Sequence, residues 1–216
     1  MLPLVPKSAD GKLNILCLGA HSDDVEIGAG GTMLRLLDEY PGSNVYWMVF
    51  AAPGGREDEA RQSAGRFLER AGSSQVDIRQ HRESYFPSDA AHIKDAFEAL
   101  KAKFKPDLIF SHRLDDRHQD HRVIAELTWN TFRNHLVLQY EIPKYEGDLG
   151  HPNCFVPLSR AVADRKVALL LEHFASQRGR TWFRPDTFNG LMSLRAIECN
   201  AGEGRAEAFH VSKLVW

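Results

Sequence analysis

The stretch LNILCLGAHSDDVEIGAGGT, residues 13–32, decides the fold of this chain. Its apolar run over residues 14–19 is typical of a short strand that is covered on both faces of a parallel sheet. The run ends in HSDD, residues 21–24, and then passes into a glycine-rich segment that can open a helix. Three ionisable side chains within four residues at a strand end indicate chemistry rather than packing.

The alternation of strand and helix continues from this stretch to residue 142. We predict strands at residues 14–19, 44–50, 75–79, 107–110 and 136–142, and helices at residues 28–40, 57–71, 91–104 and 120–132. Because strands and helices follow one another in turn, the pattern predicts an α/β sandwich with a mostly parallel sheet.

The C-terminal third is patterned differently. Residues 143–158 contain three prolines and two glycines, which predicts an extended loop over the sheet. We expect helices at residues 159–176 and 187–199, and a short closing segment at residues 208–215. The length favours one domain over residues 1–216, in which the C-terminal third, from about residue 143 onward, shapes the substrate pocket.

The composition argues against two classes of partner. A formal net charge of -2 over 216 residues supplies no electrostatic footprint for nucleic acid or for an anionic membrane surface. Two prolines interrupt the first twelve residues, so we expect neither an export signal nor an integral membrane segment. Cys17, Cys154 and Cys199 show no CxxC spacing and predict reduced thiols in a cytoplasmic protein. The pattern leaves the oligomeric state open.

A second polar cluster, DDRHQDH at residues 115–121, follows the predicted strand at residues 107–110. In an open α/β sheet the carboxyl ends of parallel strands meet at one edge, where ligands bind. We therefore expect this cluster and the HSDD segment to lie together.

The two clusters supply the ligands of a divalent metal ion. A hydrolytic ion takes two or three nitrogen and oxygen ligands and keeps an open position for water. His21, Asp24 and His121 form such a set, with the first two close enough in sequence to bind from one turn. Taken singly, each of these residues is more often a helix cap or turn former, so the prediction rests on their combination.

Four further residues receive roles. Asp23 is the expected base for the attacking water, and His118 is expected to stabilise an oxyanion or to protonate a leaving amine. Asp120 would orient His118, although it could equally be the N-cap of the next helix. Arg56 follows the second predicted strand and is a candidate to bind a phosphate or carboxylate of the substrate, a surface position being the alternative.

Three segments resemble a known family. HSDDVEIGAGGT, residues 21–32, resembles the AHPDD…GxGGT signature of the PIG-L or LmbE-like zinc-dependent N-deacetylases. DRHQDH, residues 116–121, resembles the downstream HPDH motif, and AEAFH, residues 206–210, resembles a segment near the family's C-terminus. The resemblance spans residue 13 to about residue 211. Ser22 and Gln119 replace the usual prolines of the two motifs, which removes a conformational restraint from each turn.

The resemblance implies a Rossmann-like three-layer sandwich and a zinc ion, for which another divalent metal could substitute. It implies hydrolysis of an N-acyl group, usually acetyl, from an amino sugar or its glycoconjugate. By position it makes His21, Asp24 and His121 the metal ligands, Asp23 the general base and His118 the electrostatic and acid partner.

Other functions are compatible with parts of the pattern. The same ligands could support metal-dependent hydrolysis of a phosphoester, and the fold could serve as a non-catalytic sugar-binding module. The glycine-rich segment also invites a dinucleotide-binding interpretation. That interpretation is disfavoured, because the carboxylates before the glycines would repel a pyrophosphate and the second predicted strand does not end in an acidic residue.

Overall fold

A computed structural model describes Pro6 and residues 10–215. Within that part of the chain, the strands are β1 (Asn14–His21), β2 (Asn44–Ala51), β3 (Ser73–Ile78), β4 (Leu108–Ser111), β5 (Leu136–Tyr140), β6 (Cys154–Pro157) and β7 (Ala206–His210). The α-helices are α1 (Asp24–Glu39), α2 (Arg56–Phe67), α3 (Phe86–Lys103), α4 (Gln119–Thr131), α5 (Arg160–His173) and α6 (Pro185–Cys199).

The strands form one mixed, mostly parallel sheet in the order β3-β2-β1-β4-β5-β7-β6. Strands β1 to β5 pair parallel with one another, whereas β7 pairs antiparallel with both β5 and β6. The predicted α/β fold with a mostly parallel sheet is therefore confirmed. The prediction of a loop throughout residues 143–158 was wrong at its end, since β6 lies within it.

Helices cover both faces of this sheet. Along β1, Ile15 and Cys17 pack into an apolar cluster with α1, α2, α5 and α6, while Leu16 and Leu18 pack into a second cluster with α3 and α4. Side chains alternate between the two faces of a strand, so an all-apolar strand buries both of its faces. The apolar run of β1 is therefore nearly continuous because helices cover both faces of this strand.

Helix α1 begins at Asp24, four residues before the predicted start at Gly28. Asp24 occupies its first turn, where its negative charge interacts favourably with the helix dipole. The earlier start matters for the site, because it places Asp24 inside the helix and Asp23 at its N-cap.

The glycines of α1 allow close packing. A Cβ atom at Gly28 would lie 2.4 Å from the ring of Tyr140 in β5, and one at Gly31 would lie 2.4 Å from the side chain of Leu158. Both distances are far below van der Waals contact, so only glycine lets α1 approach the sheet this closely. The glycine-rich segment therefore brings α1 onto β5 and the C-terminal part of the chain.

No helix among the described residues combines the length and the apolar character needed to cross a bilayer.

Candidate metal centre and active site

The two polar clusters meet at the carboxyl edge of β1 and β4, as the sequence predicts. His21 is the last residue of β1, and Asp24 is the first residue of α1. His118 is the N-cap of α4 and His121 lies in the first turn of that helix. A strand end and two helix N-termini thus place these side chains around one point, which is where ligands bind in sheets of this kind.

The three predicted ligands are spaced for a metal ion. His21 Nδ1 lies 3.2 Å from His121 Nε2 and 3.4 Å from Asp24 Oδ2, and His121 Nε2 lies 3.5 Å from Asp24 Oδ1. A tetrahedral zinc ion with bonds of about 2.0–2.1 Å separates its ligands by about 3.3 Å. All three residues are buried. The two histidine nitrogens therefore lie at the spacing of zinc ligands, and Asp24 approaches them with one oxygen each, Oδ2 toward His21 and Oδ1 toward His121. These nitrogen and oxygen donors suit a divalent ion in their chemistry.

Two further histidines border this set. Donor atoms of His118 lie within 4.8 Å of those of His21 and His121, and those of His112 lie within 4.8 Å of those of Asp24 and His121. His112 follows β4 directly, and its ring stacks on that of His121 with centroids 4.0 Å apart. The backbone N–H of Ala20 donates to its Nε2 at 3.0 Å. Sequence reasoning did not assign His112 a role, although its place after a strand was a signal.

Asp120 contacts a different histidine from the one predicted. Its Oδ2 lies 3.2 Å from Nε2 of His21 and accepts the backbone N–H of Ser84 at 2.6 Å. His118 is instead the N-cap of α4, and its Nδ1 accepts the backbone N–H of Asp120 at 3.3 Å. The Asp120 carboxylate therefore orients His21, while Asp120 touches His118 only through the backbone.

A second carboxylate, Asp116, orients His121. Its Oδ2 lies 3.0 Å from His121 Nδ1, and the residue is 3% exposed. Hydrogen bonds from a carboxylate to the outer nitrogen of a metal-binding histidine fix the ring and its tautomer. The structure therefore buries Asp116 in the site, against His121.

Burial and neighbouring charge set the protonation of the base candidate. Burial, together with the adjacent Asp24 carboxylate, raises the pKa of Asp23 to about 6, although Arg56 and His21 act against this rise. A carboxylate with a pKa close to neutrality is well suited to accept a proton.

The histidines differ in their protonation. Burial and the charge of His21 lower the pKa of His118, so its neutral form is favoured. Since its Nδ1 accepts a hydrogen bond, the proton lies on Nε2, which is left as a donor. Burial opposes the charged form of His21, but in the metal-free site the carboxylates of Asp24 and Asp120 outweigh it and raise the pKa of His21 to about 10. Binding of a metal ion through Nδ1 would therefore release a proton from this ring.

Arg56 lies inside the site. Its Nη2 is 3.5 Å from Asp23 Oδ1 and its Nη1 is 3.2 Å from Glu83 Oε2. The side chain is 15% exposed, and its Nε is buried with no hydrogen-bond partner among the described residues. Arg56 is therefore mostly buried and paired with two carboxylates.

A family match covers this arrangement. The sequence model of PIG-L, described as GlcNAc-PI de-N-acetylase, matches residues 16–132, which is more than half of the chain. The chain belongs to the PIG-L family. The matched region of this PIG-L protein contains both motifs and every predicted site residue, and the resemblance seen in the sequence is confirmed.

Solved structures share the fold at low sequence identity. An N,N'-diacetylchitobiose deacetylase from Pyrococcus horikoshii aligns with a TM-score of 0.71 and 18% identity over 92% of this chain and 83% of that chain. A 4-carboxy-2-hydroxymuconate hydratase from Pseudomonas putida aligns with a TM-score of 0.74 and 16% identity over 94% of this chain and 98% of that chain. A teicoplanin deacetylase in its zinc-inhibited form aligns with a TM-score of 0.68 and 13% identity over 92% of this chain and 97% of that chain.

Proposed function

We propose that this PIG-L protein is a metal-dependent hydrolase that removes an N-acyl group, an acetyl group in the first instance, from an amino sugar or its conjugate. The observation that carries the proposal is the close approach of three side chains, His21, Asp24 and His121, whose nearest nitrogen and oxygen atoms lie 3.2–3.5 Å apart, beside a buried carboxylate with a raised pKa. Metal-dependent hydrolysis of an amide uses both parts, an electrophilic centre for the carbonyl and a base for the water.

His21, Asp24 and His121 would hold the ion, which we propose is zinc or another divalent metal. When bound, the ion would polarise the amide carbonyl and make a water molecule acidic enough to lose a proton near neutral pH. The carboxylates of Asp120 and Asp116 hold the outer nitrogens of the two histidines, so that the inner nitrogens face each other at 3.2 Å.

Asp23 would accept the proton of the attacking water, because its raised pKa lets it both take up and release a proton near neutrality. His118 would donate its Nε2–H to the oxygen that becomes negatively charged in the transition state. A neutral histidine with a fixed tautomer suits this task, since it supplies a donor without first needing to be protonated. Proton transfer to the leaving amine would then fall to the protonated Asp23 or to His118.

Arg56 would bind a hydroxyl, phosphate or carboxylate of the substrate. Its buried, unpartnered Nε and its place beside Asp23 support this role. We further propose a single domain of Rossmann-like three-layer type, whose C-terminal third from about residue 143 shapes the pocket. The free cysteines Cys17, Cys154 and Cys199 support a cytoplasmic location.

The decisive experiment is a screen of N-acetylated amino sugars, free and linked to nucleotides or lipids, scored for acetate and for free amine. Turnover should vanish with a chelator and return with a divalent metal added up to one equivalent. That limit guards against inhibition by excess zinc, the state named for the teicoplanin deacetylase. Asp23→Asn at the same metal content is the matched control.

Each other outcome identifies a different function. Release of phosphate in place of acetate would indicate a phosphoesterase. Sugar binding by a metal-loaded protein that turns over no N-acetyl or phosphoester substrate would indicate a sugar-binding module. Either result would refute the deacetylase proposal.

A further inference from the structure

The segment after β5 contacts the metal centre through one lysine. Lys144 Nζ donates to Asp116 Oδ2 at 3.1 Å, and the same oxygen lies 3.0 Å from His121 Nδ1. The Lys144 side chain is 10% exposed and the Asp116 side chain 3%. A lysine charge, a carboxylate and a histidine ring thus form a continuous, mostly buried chain that ends at a proposed metal ligand.

Lys144 is itself held by a second carboxylate. Its Nζ donates to Asp148 Oδ1 at 2.6 Å, and Asp148 Oδ2 accepts the backbone N–H of Arg117 at 2.7 Å. Arg113 adds a hydrogen bond from its guanidinium to the backbone oxygen of Asp148 at 2.9 Å. Residues 144–148 are therefore hydrogen-bonded to residues 113–117, and Lys144 makes the contact between this segment and the metal centre.

We propose that Lys144 is a positioning residue which, by holding Asp116 in place, fixes the orientation of the His121 imidazole toward the metal ion. The inference rests on the metal-binding part of the proposed function and is independent of the substrate. Asp116 Oδ1 already accepts the backbone N–H of His118 at 2.8 Å, so Oδ2 is the oxygen left to share between the lysine and the ring. Without the lysine, nothing else among the described residues donates a side-chain hydrogen bond from outside the histidine to that oxygen.

Zinc affinity is the direct test, measured by competition with a chromophoric chelator in the absence of substrate. Lys144→Met should weaken zinc binding about tenfold, at the lower end of the 10–100-fold range for residues that support a metal ligand. Lys144→Arg, which keeps the charge and the donors, should restore most of the affinity. Lys94→Met is the matched control, because Lys94 also donates to a carboxylate and to a second side chain, but on α3 and away from the site.

The double variant Asp116→Asn with Lys144→Met distinguishes an effect of Lys144 through Asp116 from a general loss of stability around the site. If Lys144 acts through Asp116, the double variant should bind zinc no more weakly than Asp116→Asn alone, because coupled residues are not additive. The absorption spectrum of the Co²⁺-loaded protein should change in Lys144→Met and not in Lys94→Met. Asp148→Asn, which releases residues 144–148 without touching Asp116, should cost less affinity than Lys144→Met.

Three results would overturn the inference: unchanged zinc affinity in a folded Lys144→Met protein, additive losses in the double variant, or an equal loss in Asp148→Asn. Should Lys144→Met not fold, Lys144→Ala, which also removes both the charge and the donor, is judged by the same criteria. Failure of the wild type to bind zinc would instead refute the metal-dependent function. The two failures are therefore distinguishable.

Discussion

Two buried sites in this molecule surround their carboxylates with opposite kinds of neighbours. At the carboxyl edge of β1 and β4, the carboxylates Asp23 and Asp24 lie side by side, and burial with mutual repulsion raises the pKa of Asp23. Near β7, the carboxylate of Glu207 is equally buried but is surrounded by donors. The neighbouring carboxylate leaves Asp23 able to accept a proton, whereas the surrounding donors give Glu207 a structural role.

The contacts of Glu207 show what a fully paired carboxylate does here. It accepts the backbone N–H groups of Gly31 at 2.8 Å and Thr32 at 2.7 Å, the Thr32 hydroxyl at 2.6 Å and Lys166 Nζ at 2.6 Å. Lys166 also donates to the backbone oxygen of Ile27 at 2.6 Å. These bonds tie the middle of α1 to β7 and α5. The C-terminal part thereby holds the helix that begins with Asp24.

His121→Ala gives the largest expected effect on the reactive side of this comparison. Removing one of three ligands should lose the metal and with it all turnover above background. Elemental analysis of the purified protein and acetate release measure the two consequences together. Full metal occupancy in this variant would remove His121 from the ligand set.

Asp23→Ala should leave the metal in place and remove the base. We expect turnover to fall by about 10²–10⁴-fold, the usual contribution of general acid–base catalysis, with zinc content unchanged. Elemental analysis and kcat measured on one preparation provide the check. Stoichiometric loss of zinc would assign Asp23 a ligand role instead.

Glu207→Ala tests the structural side. Because it leaves Lys166 as a buried, unpaired charge, the free energy of unfolding should fall by about 3–5 kcal/mol. Denaturant unfolding followed by circular dichroism measures the loss. Glu203→Ala is the matched control: this exposed residue accepts one backbone N–H from Arg160, and its removal should cost less than about 1 kcal/mol. Equal losses of unfolding free energy in the two variants would show that Glu207 has no special structural role.

Arg56→Gln gives the smallest expected effect and concerns pH. The Arg56 guanidinium lowers the pKa of Asp23, so its removal raises that pKa, and Asp23 is ionised only at higher pH. The acidic limb of the profile of kcat/KM against pH should therefore move to higher pH, by about one unit. A bound metal ion would lower the pKa of Asp23 in both proteins, so the direction of the difference between them would stay the same.

Arg61→Gln provides the control for this profile. Arg61 lies on the same helix, α2, and pairs with Glu57 on the exposed surface. Its replacement should leave the limb unmoved. A limb that stays in place in Arg56→Gln as well would show that Asp23 does not govern it.

The meeting of the two polar clusters was predictable because each cluster follows a strand. His21 ends β1 and Asp24 follows it closely, while the cluster that contains His121 follows β4, and the geometry of a parallel sheet then brings both groups to one edge. Lys144 could not be predicted in this way. It contacts Asp116 across 28 positions of sequence, along a path that no hydrophobic period describes.

The misplaced elements also have physical reasons. The start of α1 was set too late, because carboxylates before glycines look like a turn when the helix dipole is not considered. Strand β6 was missed because it has four residues and ends in Pro157, a composition typical of a loop. Its place at the edge of the sheet is the position in which a proline is tolerated.

The hydrogen bonds between Glu207 and α1 determine how far this chain can be truncated. The family match ends at residue 132, and a protein truncated after β5 would keep both motifs. It would nevertheless lose the acceptor of the Gly31 and Thr32 N–H groups, and β5 would become an open edge strand without β7. The segment that identifies the family is therefore shorter than the segment that must fold, and a minimal catalytic fragment has to extend through β7.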